Sequence, residues 1–136
     1  MEVYPHAAMV VLFGLDRVLP YKRRTGRDLA GRRASFARMT ELLCSLRGAD
    51  PPLDVTTSPR WSALVEGVAS AATGAALDRI EDELDAYVCA YVALLQFSVG
   101  LGGRCAALGH PDDGVIVTPM CPPHDARLEA WGRTHV

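Results

Sequence analysis

The sequence has little of what marks the most easily recognised classes of protein. Its 136 residues carry a net charge of −2 and only 7% aromatic residues. The overall charge therefore gives no sign of a nucleic-acid-binding or membrane-surface protein. Twelve Gly and nine Pro follow no three-residue period, which excludes a collagen-like chain. P-loop, dinucleotide-binding and serine-hydrolase motifs are absent. What is present, 49% hydrophobic residues, suits one folded domain with a core.

The chain also lacks a pattern for export or membrane insertion. Glu2 stands where a signal peptide carries basic residues, and Pro5 precedes the apolar stretch. Residues 86–103 carry no charge and reach the lower edge of a membrane-spanning length. Gln96, Ser98 and the glycines at the end of this stretch favour a buried helix instead. We therefore expect a cytoplasmic protein with no membrane contact and with free cysteine thiols.

Local patterns predict a mixed α/β domain in which helices dominate. Strands are predicted at 2–4 and 115–118, where β-branched and aromatic residues lie next to prolines. Helices are predicted over 6–15, from a Thr25 cap to Gly48, from Ser58-Pro59 to a break at Thr73-Gly74, and over 84–97. Residues 1–120 are expected to form the domain, and 121–136 a polar, flexible tail.

A basic segment lies between residues 17 and 47. It contains nine basic residues and two acidic ones. Arginine guanidinium groups bind phosphates well, so the nucleic-acid candidates are Lys22, Arg23, Arg24 and Arg27. A solvated helix face explains the same charges. Aromatic residues are too few in this segment to indicate base stacking.

An acidic run precedes the most apolar helix. Residues 78–85 contain five acids, and four of them suit a solvated helix start, where the helix dipole favours negative charge. Asp85 differs because Leu84 and Ala86 direct its helix towards the core. A carboxylate at the edge of a buried helix needs a cation, a hydrogen bond or a solvent-filled cleft. Mg²⁺ is one cation that would suit it.

Four short motifs occur in an order that resembles a known family. They are Glu2-Val3-Tyr4-Pro5, Tyr21-Lys22, the helical segment 84–91 and the strand segment 114–119. Together they resemble domain of unknown function family 429, described as a predicted nuclease with a ribonuclease H-like fold. The resemblance implies phosphodiester hydrolysis with Mg²⁺ or Mn²⁺, catalytic roles for Glu2 and Asp85, and a metal held by Glu2, Asp85 and Asp82. The carboxylates of Glu2 and Asp85 are then expected within roughly 10 Å of each other.

The start of the sequence departs from the family pattern. The family's first strand, with its Gly-Val-Asp-like motif, has no counterpart here. We therefore expect the C-terminal portion of a ribonuclease H-like fold, with two or three short strands and the first strands missing. Such a chain is expected to be inactive or weakly active alone. It is also expected to self-associate through apolar helix faces that a small sheet leaves uncovered.

Two alternatives to a nuclease remain open. The first is a non-catalytic helical module whose basic segment 17–47 binds nucleic acid or an acidic partner. The second is a small zinc-binding protein, because Cys105, His110, Cys121 and His124 lie close together in the sequence. The close cysteine pair that structural zinc sites usually have is missing, so we expect no zinc.

Overall fold

The computed structural model describes residues 2–110 and 112–120. Within them the elements are β1 (Glu2–Val3), α1 (Pro5–Leu12), α2 (Leu29–Ser45), α3 (Trp61–Ser70), α4 (Gly74–Val99), β2 (Cys105–His110) and β3 (Gly114–Pro119). The predicted mixed α/β class, mostly helical with two or three short strands, is confirmed. The predicted tail at 121–136 lies outside the described residues. None of the helices described is long and apolar enough to span a membrane.

β3 is the central strand of a three-stranded sheet. β1 pairs with it in parallel, with Glu2 opposite Ile116, and β2 pairs with it in the antiparallel direction, with Cys105 opposite Pro119. The strand β2 was not predicted individually. Its sequence, CAALGH, contains no β-branched residue, so strand propensity gave no signal. Pairing with β3 imposes the extended conformation there.

α4 is the helix around which the other elements pack. It contacts α1, α2, α3 and both long strands. The apolar faces of the helices meet in one core, with Phe36 and Leu43 from α2, Leu64 from α3, and Leu84 and Val88 from α4. Each such side chain contributes about 1.5–3 kcal/mol when it is fully buried. The helix faces predicted to lack a sheet therefore cover one another.

The helix starts correct three of the predicted boundaries. Asp28, rather than Thr25, caps α2, because its Oδ1 accepts a hydrogen bond from the Gly31 amide at 2.7 Å. Asp and Thr are both good caps, so the Thr-x-x-Asp pattern fits either. α3 begins at Trp61, two residues after the predicted Ser58-Pro59 start. The predicted break at Thr73-Gly74 is the start of α4, with Thr73 as its cap.

One face of the sheet is left uncovered. Along β3, Val117 faces the core and is 1% exposed, whereas its neighbour Ile116 points outward and is 41% exposed. Ile116 lies opposite Leu108 of β2, which is also 41% exposed. The predicted self-association through uncovered apolar surface is not tested by these contacts and stays a prediction.

Candidate functional site

The carboxylate of Asp85, on α4, binds the segment between α1 and α2. Tyr21 is fully buried, and its hydroxyl donates a hydrogen bond to Asp85 Oδ1 at 2.5 Å. The neighbouring Lys22 places its Nζ atom 2.9 Å from the other oxygen, Asp85 Oδ2. Asp85 is 8% exposed. Of the three predicted alternatives, a cation, a hydrogen bond or a solvent-filled cleft, the first two are supplied here by the adjacent residues Lys22 and Tyr21.

A second ion-pair group extends this contact along α4. Lys22 Nζ also lies 3.4 Å from Glu81 Oε1. Arg32, which is 4% exposed, places Nη2 at 2.7 Å from Asp78 Oδ1 and 3.7 Å from Glu81 Oε2. The three acids are spaced three and four residues apart, which places them on one side of the helix. We call the set Tyr21, Lys22, Arg32, Asp78, Glu81 and Asp85 the anchor cluster.

Arg32 also holds the backbone of the same segment. Its Nε atom donates to the carbonyl oxygen of Tyr21 at 2.7 Å, and its Nη1 atom to that of Gly74 at 3.4 Å. One buried guanidinium therefore links α2, the segment before it and the first residue of α4. Buried charges are stable only when they are paired and hydrogen-bonded in this way.

The surroundings shift the pKa values of the residues in contact with Asp85. Burial, followed by the hydrogen bond to Asp85, raises the pKa of Tyr21 above its ordinary value, so its hydroxyl stays a donor. Burial lowers the pKa of Lys22, but the hydrogen bond and charge of Asp85, helped by Glu81, outweigh it and raise the pKa overall. His6 stacks on Tyr21 with ring centroids 5.0 Å apart. Its pKa is lowered, first by burial and then by the charge of Lys22.

A cavity rich in arginine lies beside the anchor cluster. Its volume is about 770 Å³. The residues that line it are Arg23, Arg24, Thr25, Gly26, Arg27, Leu29, Arg32, Gly74 and Ala75. The arginines at 23, 24 and 27 are exposed. The first two residues of α4 form part of the wall, where the partial positive charge of a helix start adds to that of the arginines.

A tight turn brings the cavity arginines together. The Arg27 amide donates to the carbonyl oxygen of Arg24 at 3.1 Å. Gly26, third in this turn, has a φ of +85°, which a type II turn requires at that position and which glycine adopts without strain. The Arg27 side chain donates to the Lys22 carbonyl oxygen at 2.9 Å. The turn is therefore tied to the residue that contacts Asp85.

The residues predicted to be catalytic or metal-binding are Glu2, Asp82 and Asp85. Glu2 lies on β1 with an exposed side chain, and Asp82 is exposed on α4. Across the part of the chain that the structure describes, no hydrogen bond or ion pair joins either of them to Asp85. The expected distance between the Glu2 and Asp85 carboxylates stays a prediction. Of the basic candidates, Lys22 faces Asp85, while Arg23, Arg24 and Arg27 line the cavity.

The anchor cluster does not fit a divalent metal as its side chains lie. Mg²⁺ and Mn²⁺ need several hard oxygen ligands that point at one position. Both oxygens of Asp85 are engaged, and the ammonium group of Lys22 lies between Asp85 and Glu81. Over residues 2–110 and 112–120, no three His, Cys, Asp or Glu side chains converge on a common point. The chemistry of the cluster in this arrangement is that of ion pairs.

Four members of the anchor cluster were not assigned to the site from the sequence: Tyr21, Arg32, Asp78 and Glu81. A signal for Arg32 was present, because it follows Leu29 by three residues and precedes Phe36 by four. That spacing puts a guanidinium on the apolar face of α2, where it must find acidic partners. Asp78 and Glu81 belong to an acidic run from which only Asp82 and Asp85 were assigned to the site. The pairing with Tyr21 depends on tertiary structure, since 64 residues separate Tyr21 and Asp85.

The fold and site together define a small α/β domain with an arginine-lined cavity beside a buried ion-pair network. A family model described as "Protein of unknown function (DUF429)" matches residues 1–113. The chain therefore belongs to this family, and the resemblance inferred from its four motifs is confirmed. No curated protein and no solved structure shows significant similarity to the chain. The ribonuclease H-like character of the fold stays a prediction.

Proposed function

We propose that the chain binds the phosphate backbone of nucleic acid in the arginine-lined cavity. The observation that carries the proposal is the grouping of Arg23, Arg24 and Arg27 around one cavity of about 770 Å³. A planar guanidinium presents paired N–H groups that match two phosphate oxygens, and three such groups in one wall suit successive phosphates. This function corresponds to the non-catalytic module that was predicted from the basic segment 17–47.

The charges of these arginines are available to a ligand. Within the described part of the chain, Arg24 and Arg27 form no ion pair, and Arg23 reaches only Asp78, at a distance of 3.8 Å and with a side chain 83% exposed. A pair that long and exposed is worth little. By contrast, Lys22 and Arg32 are committed to the acids of α4 and act as supports.

The expected mode of binding is independent of sequence. Phosphate contacts position a protein on nucleic acid, whereas contacts with base edges read its sequence. The cavity wall contains no aromatic residue on which a base could stack. Similar affinity is therefore expected for oligonucleotides of equal length and different sequence.

Hydrolysis of the bound strand is the finer function that the family resemblance implies. It would require the carboxylate of Asp85 to leave both Tyr21 and Lys22 before it could contact a metal. Because the side chains as they lie do not fit a metal, the proposed function is binding. Incubation of the same protein and oligonucleotides with Mg²⁺ would reveal cleavage.

The test is a fluorescence anisotropy titration with labelled single-stranded and double-stranded oligonucleotides. The variant Arg23→Gln/Arg24→Gln/Arg27→Gln is expected to lose most of the affinity of the wild type. The matched control removes three exposed arginines outside the cavity: Arg17→Gln/Arg38→Gln/Arg47→Gln. It has the same net charge as the cavity variant and is expected to retain binding.

Three results would contradict the proposal. The first is an absence of binding at low salt. The second is an equal loss of affinity in the two triple variants, which would indicate attraction by net charge alone. The third is tight binding of poly-glutamate with no binding of oligonucleotides, which would indicate an acidic protein partner. Strand cleavage in the presence of Mg²⁺, abolished by Asp85→Asn, would support the nuclease instead.

A further inference from the structure

We infer that the ammonium group of Lys22 takes the place of a metal ion between Asp85 and Glu81, so that these carboxylates hold the arginine turn and bind no divalent cation. The metal that the family resemblance implies was assigned to Glu2, Asp82 and Asp85, and it would require Asp85 to be free. This inference concerns the anchor cluster alone and holds whether or not the cavity binds nucleic acid.

The position of the Lys22 ammonium group is the first support. Its Nζ atom lies 2.9 Å from Asp85 Oδ2 and 3.4 Å from Glu81 Oε1. The two acids are one helical turn apart, so their carboxylates bracket a single small cation. An ammonium group is a compact positive charge with three donors, suited to that position. A divalent ion could enter only by displacing it.

The charge balance of the cluster is the second support. Lys22 and Arg32 pair with the three carboxylates of Asp78, Glu81 and Asp85, and Arg23 adds a third, weak contact with Asp78. Arg23 is the weakest of the three, at 3.8 Å. Without it, the cluster retains a single negative charge. Sites for hard divalent cations depend on uncompensated carboxylates, and little uncompensated charge is present here.

The remaining oxygen of Asp85 is the third support. Asp85 Oδ1 accepts from the buried Tyr21 hydroxyl, whose pKa is raised so that the proton stays in place. A metal bound to Asp85 would compete with this hydrogen bond as well as with Lys22. The loss would leave a buried donor without its partner, which costs free energy. A divalent ion would therefore have to displace both contacts of Asp85.

The test is a Mn²⁺ titration followed by water-proton relaxation. The wild type is expected to have no saturable Mn²⁺ site that involves Asp85. Asp85→Asn is therefore expected to leave Mn²⁺ binding unchanged. Lys22→Ala frees one oxygen of each carboxylate, Asp85 Oδ2 and Glu81 Oε1, and is expected to gain a saturable Mn²⁺ site, which the double variant Lys22→Ala/Glu81→Gln loses. Lys22→Arg is the matched control, because it keeps a cation at this position and is expected to gain no site.

A second measurement needs no variant. Mn²⁺ broadens the amide NMR signals of residues close to it, so wild-type spectra report where the ion lies. The inference predicts no selective broadening over 78–85 and 21–22. Selective broadening there, or a folded Lys22→Ala protein that gains no Mn²⁺ site, would overturn it. Oligonucleotide affinity tests the proposed function separately, so the two can fail independently.

Discussion

Two sets of basic residues lie close together in the sequence and differ in burial and in the strength of their ion pairs. Lys22 and Arg32 point at α4 and are paired with its acids, whereas Arg23, Arg24 and Arg27 surround a cavity. The change occurs between one residue and the next, at Lys22 and Arg23. A run of like charge is therefore not one functional unit, because tertiary contacts decide which charges are supports and which remain available.

The two sets also differ in energetic terms. Burying a charge costs free energy because the charge loses its hydration. Removing one partner of a buried pair leaves the other charge uncompensated. Exposed arginines that neutralise phosphates release the cations condensed on the nucleic acid, which makes binding dependent on salt. Changes in the first set should therefore alter stability, and changes in the second should alter affinity.

The largest expected effect is on stability, in Arg32→Ala. This change removes the partner of Asp78 and of the Tyr21 carbonyl and leaves polar groups without compensation. We expect the free energy of unfolding to fall by about 3 kcal/mol. Urea denaturation provides the measurement. Arg38→Ala on the exposed side of the same helix removes only a pair with Glu41 and should cost at most about 0.5 kcal/mol. Equal losses of stability in Arg32→Ala and Arg38→Ala would contradict the distinction between paired, buried arginines and exposed ones.

The second effect is on the salt dependence of oligonucleotide binding. If each cavity arginine neutralises one phosphate, Arg23→Gln/Arg24→Gln/Arg27→Gln should reduce the slope of log affinity against log salt by about 2 for a single strand. Anisotropy titrations at several salt concentrations measure it. The control Arg17→Gln/Arg38→Gln/Arg47→Gln should keep most of the wild-type slope. A steeper slope in the cavity variant than in the control would contradict the assignment.

The third effect appears at high pH. Folding raises the pKa of Tyr21 above 10.0 and that of Lys22 above 10.5. The stability they contribute is therefore fully present below about pH 10 and is lost as the pH rises through the folded values. The urea midpoint of the wild type should be lower above that pH than below it. Tyr21→Phe removes one titrating group, so its urea midpoint should fall less steeply with pH than that of the wild type. An equally steep fall would contradict the role of Tyr21.

The smallest effect is at mildly acidic pH, through His6. Folding lowers its pKa from 6.5, first by burial and then by the charge of Lys22, with Arg27 adding to Lys22 and Asp85 opposing it. Stability from the neutral ring is present above pH 6.5 and is lost as the pH falls towards the lowered value. His6→Phe keeps an aromatic ring against Tyr21 and should show a weaker decline over that range. An unchanged pH profile would rule out His6 as its source.

The sequence predicts those features that depend on local pattern. β3 followed from its β-branched residues, and the C-terminal part of α4 from a long apolar run that ends at Gly100, whose φ is +73°; the first ten residues of α4 were not predicted. β2 did not, because only its pairing with β3 makes it a strand. At the site, Lys22 and Asp85 were both predicted as functional, but for separate roles. Their contact depends on the packing of two distant segments, which no spacing within either segment encodes.

The pairing of β1 with β3 has a consequence for how the chain folds. Glu2 lies opposite Ile116, so the parallel edge of the sheet joins residues from the two ends of the described chain. Closing so long a loop has an entropic cost, and long-range pairing slows folding. α2, α3 and α4 follow one another closely in sequence and can pack before that closure. β1 must wait until β3 has been synthesised, which makes the completed sheet a late event in folding.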